Sequence, residues 1–514
     1  MASNQLHFRE NFLNLSTNVV FVPPGENPML RFLSLTLVAL TVLGCAGTEL
    51  TTLAPPPPMA ALSVASSSAL KSQIDALLSD SLFPPSNVSV KIVSLTRKKE
   101  LYSLNERMLF NPASNQKLFT SAAALHYLGK DALIPTVVTA DTGNNRIVIT
   151  GYGDPILSTA DMDSIARVCV AALPQGRTWD IGVKVSFFDS LYWGAGWTWD
   201  EEPEAYGMFL SPLMLNNNTV TVDVVPSPTP GAPPLVMVDP PTLYTPVENS
   251  AVTTADSITV PLRITRKWQE RSNTITVSGQ MGLTWRTRRD QLSVWRPELY
   301  AGTVFAERLN YHGVRVNRVA IDSLSGAFPV LCTFEHRIDT ILTFLNKVSD
   351  NLSAEAALKT IAARRHGVPG SARLGASLVY EFLAQTGIDT NAIVIADGSG
   401  LSRYNLTSTG TIIRLLERMY ADSALFPLFY KTLPIAGVDG TIGSRMKGTW
   451  AEGNLRAKTG TLSGVTALSG YVQTLDSEWL AFSILMQSYP GSARAYRAVQ
   501  DRIGALLAGS SRLE

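Results

Sequence analysis

The sequence has little cysteine and little histidine. Its 514 residues include three cysteines, Cys45, Cys169 and Cys332, and five histidines. So few cysteines exclude a disulfide framework and a cysteine-rich metal cluster. The histidines show neither H-x-x-x-H spacing nor a neighbouring cysteine pair, so a zinc site is not expected. We therefore expect chemistry that needs no metal or other cofactor.

An excess of charge of one sign is missing as well. Lys and Arg together number 43, and Asp and Glu number 42. The chain therefore offers neither a basic field for nucleic acid nor an acidic tail, and a nucleic-acid partner is not expected. With 45% apolar residues, a chain of this length can bury the cores of several domains.

The N-terminal region has the pattern of an export signal. Residues 29–45 read MLRFLSLTLVALTVLGC, an apolar run that is too short to cross a bilayer but suits the core of a signal peptide. Its last four letters resemble a bacterial lipoprotein cleavage box, with Cys45 as the candidate lipid anchor. An ordinary signal peptide cut nearby is the alternative. The prolines at 55–58 predict a tether. We expect export to the bacterial envelope (periplasm), with membrane contact only through this anchor.

The strongest local pattern is a helix over residues 111–128, NPASNQKLFTSAAALHYL. Asn111 is suited to cap it and Pro112 to occupy its first turn. Short β-like runs dominate from about 131 to 330. Helical patterns return after 335, and the chain ends in strands at 467–473 and 479–487 followed by a helix.

This helix carries a serine and a lysine with catalytic spacing. Ser114 and Lys117 stand at i and i+3, so their side chains are neighbours on a helix. A buried, neutral lysine there could take the serine proton. The S-x-x-K pattern also occurs at 68–71 and 444–447. Taken alone, each copy is better explained as a capped surface helix. Only the copy that begins at Ser114 starts an apolar helix.

Two further motifs change that interpretation. Ser349-Asp350-Asn351 and then Lys458-Thr459-Gly460 follow in the chain. In this order the three elements match the S-x-x-K, S-D-N, K-T-G set of penicillin-binding proteins and related β-lactamases. That chemistry uses no histidine, which suits a chain with none near the motifs.

The set assigns a role to each side chain. Ser114 is predicted to attack the carbonyl between two D-alanines, with Lys117 as the base. Ser349 is predicted to relay a proton to the leaving amine, and Asn351 to hold the substrate amide. Lys458 would supply a positive charge that lowers the pKa values of the catalytic lysine and serine and attracts the substrate carboxylate.

The third motif and its neighbour are predicted to bind the reacting peptide. Thr459 and Gly460 would contact substrate, since glycine lets a backbone lie close to the strand. The backbone N–H groups of Ser114 and Thr461 are predicted to form the oxyanion hole.

Longer segments resemble the class C low-molecular-mass penicillin-binding proteins, the D-alanyl-D-alanine carboxypeptidase/endopeptidase family. The resemblance spans roughly 69–508 and is carried by 111–125, 151–157, 346–355, 396–405, 433–449 and 457–465. It implies a serine D-Ala-D-Ala carboxypeptidase that acts on peptidoglycan stem peptides and is acylated by β-lactam antibiotics.

The resemblance also implies a mixed α/β architecture of the serine D,D-peptidase/β-lactamase-like type. An antiparallel five-stranded sheet with helices would carry the motifs, and β-rich domains would be inserted after the nucleophile helix. The expected division is a signal and tether over 1–68, a peptidase domain over 69–130 plus 335–514, an inserted domain II over 131–222 plus 289–334, and a nested β-rich domain III over 223–288.

Members of this family have a pocket for the polar end of a diaminopimelate-type side chain. By resemblance, Glu201 is its acidic wall, although a one-residue shift would move that role to Asp200. Tyr206 is an aromatic wall, Arg403 would take the carboxylate through its guanidinium, and Ser463 lies at the rim.

Three other functions compete with this prediction. A β-lactamase would share the fold, and a catalytically silent cell-wall-binding protein would share the motifs. A histidine-dependent esterase requires a G-x-S-x-G pentapeptide, and the sequence does not contain one.

Overall fold

The structure is a computed structural model that describes residues 66–80, 83–322 and 328–513. The predicted signal and Cys45 lie outside the described residues. Within those ranges, no helix combines the length and apolarity needed to cross a membrane.

Helices and strands are mixed along the described residues, with a run of strands from β6 to β13 and a run of helices from α5 to α9. The helices are α1 (Ser67–Leu78), α2 (Gln116–Leu128), α3 (Thr159–Ala172), α4 (Pro297–Tyr311), α5 (Ile338–Lys347), α6 (Asn351–His366), α7 (Ala372–Gln385), α8 (Thr409–Ala421), α9 (Phe426–Thr432) and α10 (Arg494–Ala508). The strands are β1 (Asn87–Ser94), β2 (Lys99–Leu104), β3 (Leu133–Asp141), β4 (Arg146–Gly151), β5 (Thr178–Lys184), β6 (Thr219–Val225), β7 (Leu235–Asp239), β8 (Val247–Asn249), β9 (Val252–Thr254), β10 (Arg263–Arg266), β11 (Ile275–Ser278), β12 (Gln280–Gly282), β13 (Arg288–Ser293), β14 (Arg315–Ile321), β15 (Val330–Arg337), β16 (Arg456–Leu462), β17 (Val465–Gln473) and β18 (Trp479–Gln487).

The motifs surround a five-stranded antiparallel sheet with strand order β16-β17-β18-β1-β2. β17 and β18 are buried almost without interruption, because α8 packs beside β18 and α10 packs on β17. Strands covered on both faces have continuous apolar runs. β16 is at one end of the order, so its outer edge faces the site.

The nucleophile helix is the centre of the helical layer. Every residue of α2 from Gln116 to Leu125 is buried, and α5, α6, α7 and α9 pack around it. The small side chains of residues 122–124, all alanine, permit this close packing.

The start of this helix differs from the prediction. α2 begins at Gln116, after a 3-10 turn over Ala113–Asn115. Ala113, the first residue of this turn, has φ of 45°, in the left-handed region. This backbone conformation interrupts helical geometry at the start of the turn. The side chain of Asn111 still accepts a hydrogen bond from the N–H of Ala113, at 2.8 Å.

A second five-stranded sheet lies between the nucleophile helix and α5 in the chain. Its order is β14-β5-β4-β3-β15, with parallel pairs at β14/β5 and β4/β5. α3 connects β4 to β5, and α4 leads into β14. The buried side chains of both helices share one hydrophobic core with this sheet. Trp179 of β5 and Tyr300 of α4 belong to this core.

Three smaller sheets complete the described chain, with orders β13-β6-β7, β10-β11-β8 and β12-β9. β7 lies within the predicted nested region 223–288, yet it pairs with β6, which begins before that region. The division at 131–222, 223–288 and 289–334 stays a prediction.

Candidate active site

Ser114 lies in the 3-10 turn that precedes α2 and is half-buried among fully buried neighbours. The side chain of Asn115 donates a hydrogen bond to the carbonyl of Lys458, at 3.0 Å. The turn is thereby attached to β16. Backbone strain such as that at Ala113 is often found at functional sites.

Lys117 is fully buried and directs its amine at Ser114. Its Nζ lies 3.0 Å from the Ser114 Oγ, 2.6 Å from the Asn351 Oδ1 and 2.7 Å from the carbonyl oxygen of Ser399. Burial lowers the pKa of Lys117 to about 8, although nearby carboxylates oppose the shift. A neutral amine has two N–H groups and one lone pair. It can keep the bonds to Asn351 and Ser399 and accept the Ser114 proton with the lone pair.

Lys458 and Ser349 form a second lysine–serine pair. Lys458 is buried, and its Nζ donates to the Ser349 Oγ at 2.8 Å and to the carbonyl of Thr459 at 2.9 Å. Ser349 has φ of 63°, again in the left-handed region. Burial, and then the charge of Lys117, lower the pKa of Lys458 well below its usual value. An arriving substrate carboxylate would raise that pKa, because an opposite charge favours the charged amine.

Asn351 connects the first motif to the predicted pocket. Its Oδ1 accepts from Lys117, and its Nδ2 donates to the carbonyl of Tyr206 at 2.9 Å. The preceding Asp350 caps α6, because its carboxylate accepts from the N–H of Ser353 at 2.6 Å. The contact between Asn351 and a substrate amide stays a prediction.

The K-T-G residues lie on β16. A Cβ on Gly460 would be 2.7 Å from the carbonyl oxygen of Pro112 and 3.1 Å from the Ala113 Cβ. Glycine is therefore required by the close approach of the nucleophile turn, in addition to its predicted contact with substrate. Thr459 donates to Thr441 at 2.8 Å. The Oγ of Thr461, whose N–H is predicted for the oxyanion hole, accepts from Arg497 at 3.0 Å.

Sequence reasoning missed the buried acids beneath the site. Glu355 of α6 accepts the N–H groups of Gly398 and Ser399, at 2.9 and 2.8 Å. Burial, and then the charge of Asp397, raise the pKa of Glu355 to about 7. These bonds hold the Ser399 carbonyl against Lys117.

Asp397 organises the rest of the same loop. It accepts the N–H groups of Gly400 and Ser402, at 2.8 and 2.7 Å, and the side chains of Asn405 and Trp197, at 2.7 and 2.9 Å. An aspartate that accepts backbone N–H groups a few residues ahead is a typical turn former. The aspartate, serine and glycines at 397–400 were thus the available sequence signal.

The predicted pocket residues lie together beside these motifs. Arg403 donates to the carbonyl of Ser463 at 2.9 Å. The charge of Arg403 also acts on Glu201, whose pKa is raised by partial burial. Tyr206 is exposed. Partial burial, and then the charges of Glu201, Glu204 and Asp200, raise the pKa of its hydroxyl. The structure brings these side chains together without deciding between Glu201 and Asp200.

The described ranges contain no group of three or more histidine, cysteine, aspartate or glutamate side chains arranged to hold a metal ion.

Residues 70–509 match the model of the D-Ala-D-Ala carboxypeptidase 3 (S13) family. The chain belongs to this family. A D-alanyl-D-alanine carboxypeptidase of Actinomadura sp. (strain R39) is 35% identical over 510 residues, which cover 94% of this chain and 91% of that protein.

Solved structures agree on the fold. Penicillin binding protein 4 of Haemophilus influenzae has a TM-score of 0.73 at 24% identity, covering 84% of this chain and 97% of that chain. The same protein complexed with a β-lactam has a TM-score of 0.69 at 22% identity, covering 84% and 98%. The predicted family, the predicted fold class and the predicted enzyme class, a serine-type D-Ala-D-Ala carboxypeptidase, are confirmed.

Proposed function

We propose that this protein hydrolyses the terminal D-alanine bond of peptidoglycan stem peptides through an acyl-enzyme on Ser114. One observation above all supports the assignment of the nucleophile. The Ser114 Oγ lies 3.0 Å from the amine of a buried lysine whose pKa is lowered to about 8. An amine with that pKa is partly neutral near neutral pH and is suited to general-base catalysis.

The proposed acylation balances as follows. Lys117 takes the Ser114 proton while the Oγ bonds to the carbonyl carbon of the penultimate D-alanine. The N–H groups of Ser114 and Thr461 stabilise the resulting oxyanion. The C–N bond then breaks, and the proton that Lys117 took up passes through Ser349 to the leaving amine, so that Lys117 is neutral again. In the second step Lys117 takes a proton from the water that adds to the acyl carbonyl and passes it to the Ser114 Oγ as the acyl C–O bond breaks, which releases the shortened peptide.

Lys458 recognises the substrate carboxylate in this proposal. Its amine is already held by Ser349, and burial lowers its pKa in the free enzyme. The carboxylate of the substrate, or of a penicillin, restores the charged form. The start of the outer edge of β16 is paired, since Arg456 bridges to Ile435 and the N–H of Ala457 donates to the carbonyl of Pro434 at 3.0 Å. The edge beyond Ala457 would pair with the extended peptide, a recurring mode of peptide recognition.

Penicillin acylation tests the nucleophile. The protein is incubated with penicillin, digested, and mapped for the modified peptide. Label on Ser114, lost in a folded Ser114→Ala variant, is expected. Label on Ser68, Ser349 or Ser444 would contradict the assignment. Continuous turnover of penicillin, in place of lasting acylation, would favour a β-lactamase.

Purified muropeptides decide between the two peptidase activities. Loss of a single D-alanine, read by mass, indicates carboxypeptidase action, and separation of a cross-linked dimer into monomers indicates endopeptidase action. Absence of both products would favour the cell-wall-binding alternative.

A diaminopimelate-type side chain is the proposed determinant of substrate choice. Its end carries an ammonium and a carboxylate, and Glu201 and Arg403 offer the opposite charges, with Tyr206 close enough to Glu201 for the two to interact electrostatically. Electrostatic interaction between Glu201 and Arg403 supports this assignment. The contact from Arg403 to the Ser463 carbonyl places the guanidinium next to the third motif.

Export to the bacterial envelope is proposed from the residue 29–45 segment and from the family's wall-peptide chemistry. Cys45 is the proposed lipid anchor. In cells expressing the full chain, Cys45→Ser should move the protein from the membrane fraction to the soluble fraction. A wild-type protein that is already soluble would contradict the anchor while leaving export open.

A further inference from the structure

A cavity of about 570 Å³ lies beside the candidate active site. Its lining comes from the start of α3, from β6, β7 and β13, from α5, and from the segments at 205 and 216–217. Ala205, the neighbour of Tyr206 in the chain, forms part of the wall. None of the motif residues lines this cavity among the described residues, so it is a separate space.

The wall nearest the active site is held by three consecutive asparagines. Residues 216–218 have φ of 49°, 57° and 56°, all in the left-handed region, which asparagine tolerates better than most residues. Asn217 Nδ2 donates to the Asp350 carboxylate at 2.8 Å. Asn216 Oδ1 accepts from the N–H of Thr159 at 3.0 Å. One strained turn therefore ties the S-D-N motif to the start of α3.

The lining suits a neutral ligand rich in hydroxyl and amide groups. Ser158, Asn217, Thr221 and Gln291 contribute hydroxyls and amides, and Asp239 contributes a carboxylate. No lysine or arginine is among the described lining residues, so an anionic ligand would lack a partner charge.

The lining also includes apolar side chains. Ile156, Leu157 and Phe344 line the cavity, and Phe344 belongs to α5. A sugar ring presents C–H groups on its faces and hydroxyls at its rim. The aromatic side chain can cover a face while the polar side chains bond to the rim.

We propose that this cavity binds an N-acetylated sugar of the peptidoglycan glycan while the attached stem peptide occupies the active site. The proposal rests on the proposed function. The acetamido group of such a sugar adds a hydrogen-bond donor and a hydrogen-bond acceptor that match the asparagine and glutamine side chains of the wall.

The arrangement sets a requirement on the substrate. Three residues separate the sugar's lactyl group from the D-alanine that is acylated, and an extended chain spans about 10 Å over that distance. The nucleophile is connected to the cavity wall by hydrogen bonds: Lys117 contacts Ser114 and Asn351 at 3.0 and 2.6 Å, and the adjacent Asp350 contacts Asn217 at 2.8 Å. The proposal requires that one substrate occupy both places at once.

The experiment compares a free stem pentapeptide with the same pentapeptide carrying its N-acetylated disaccharide. For the wild-type protein, we expect kcat/KM to be about tenfold higher for the disaccharide-pentapeptide, chiefly through KM. Ala160→Trp and Gln291→Trp fill the cavity from two different elements, α3 and β13, and both positions are exposed. Each should abolish the preference while leaving pentapeptide hydrolysis and penicillin acylation unchanged.

Val168→Trp is the matched control. Val168 lies on the same helix as Ala160, is 50% exposed, and does not line the cavity. This variant should keep the wild-type preference. A wild-type protein without preference, a preference that survives both cavity variants, or its loss in the control would overturn the proposal. Failure to hydrolyse either peptide would instead overturn the proposed function on which it rests.

Discussion

The pH dependence of acylation follows directly from the burial of Lys117. With its pKa lowered from 10.5 to about 8, about 9% of the amine is neutral at pH 7, against about 0.03% for an ordinary lysine. Burial therefore increases the fraction of competent base about 300-fold. From pH 6 to pH 8 the neutral fraction rises about 50-fold, and the acylation rate should rise with it.

The assay is the second-order rate of labelling by a fluorescent penicillin, measured in steps from pH 6 to pH 9. The wild-type rate should increase about tenfold per pH unit at first and level off near pH 8. Lys117→Arg should lose at least about 100-fold at every pH, because arginine does not give up its proton in this range. A flat profile between pH 6 and pH 8, or near-normal acylation of Lys117→Arg, would refute the role of Lys117 as base.

Two further variants separate this effect from others. Lys71→Arg alters the lysine of the exposed S-x-x-K copy at 68–71, whose amine pairs with Asp75, and should leave rate and profile unchanged. Lys458→Arg fixes the second charge at all pH values. The labelling rate of this variant should be lower, because the charge is misplaced. The increase of that rate with pH should persist if Lys117 produces it.

Three other outcomes are expected. Because the pKa of Glu355 is raised from 4.5 to about 7, the folded state keeps a proton between pH 4.5 and about pH 7 that the unfolded state has lost. The free energy of unfolding should therefore fall by about 3 kcal/mol as the pH rises through this range. Urea denaturation of Glu355→Gln should lack that part of the fall, and identical pH dependences would contradict the shift. Gly460→Ala places a Cβ 2.7 Å from the carbonyl oxygen of Pro112 and should slow penicillin acylation about 10- to 100-fold in a protein that still unfolds cooperatively; an unchanged rate would mean that the turn is not held by this contact. Glu201→Gln and Arg403→Ala should lower kcat/KM for a peptide with a free ammonium-carboxylate side chain while sparing penicillin acylation, and equal losses on both would argue against the pocket.

Local patterns predicted much of the fold around the site. Strands predicted at 467–473 and 479–487 are observed as Val465–Gln473 and Trp479–Gln487, since a buried strand shows its burial in a continuous apolar run. The pairing of Ser114 with Lys117 was equally accessible, because contact at i and i+3 depends only on the local backbone. The motif order then predicted the wider group of penicillin-binding proteins and related β-lactamases, and the longer matched segments predicted the family.

The state of the catalytic lysine was decided by tertiary structure. Its pKa is lowered by burial, against the charges of Asp397, Asp350 and Glu355, and its amine is held by the Ser399 carbonyl, 282 positions away in the chain. That carbonyl is held by Glu355, which lies outside the three short motifs. Spacing cannot reveal such contacts, because they form only when distant segments pack together.

The conformation of the nucleophile turn has the same origin. A Cβ on Gly400 would lie 1.9 Å from the carbonyl oxygen of Ala113, and a Cβ on Gly460 would lie 2.7 Å from that of Pro112. The sequence by itself determined that a helix follows Ser114 and that a lysine lies one turn along it. Packing of the 397–405 loop and β16 against the turn decided that the helix begins at Gln116, because two distant glycines let their backbones approach where any other side chain would collide.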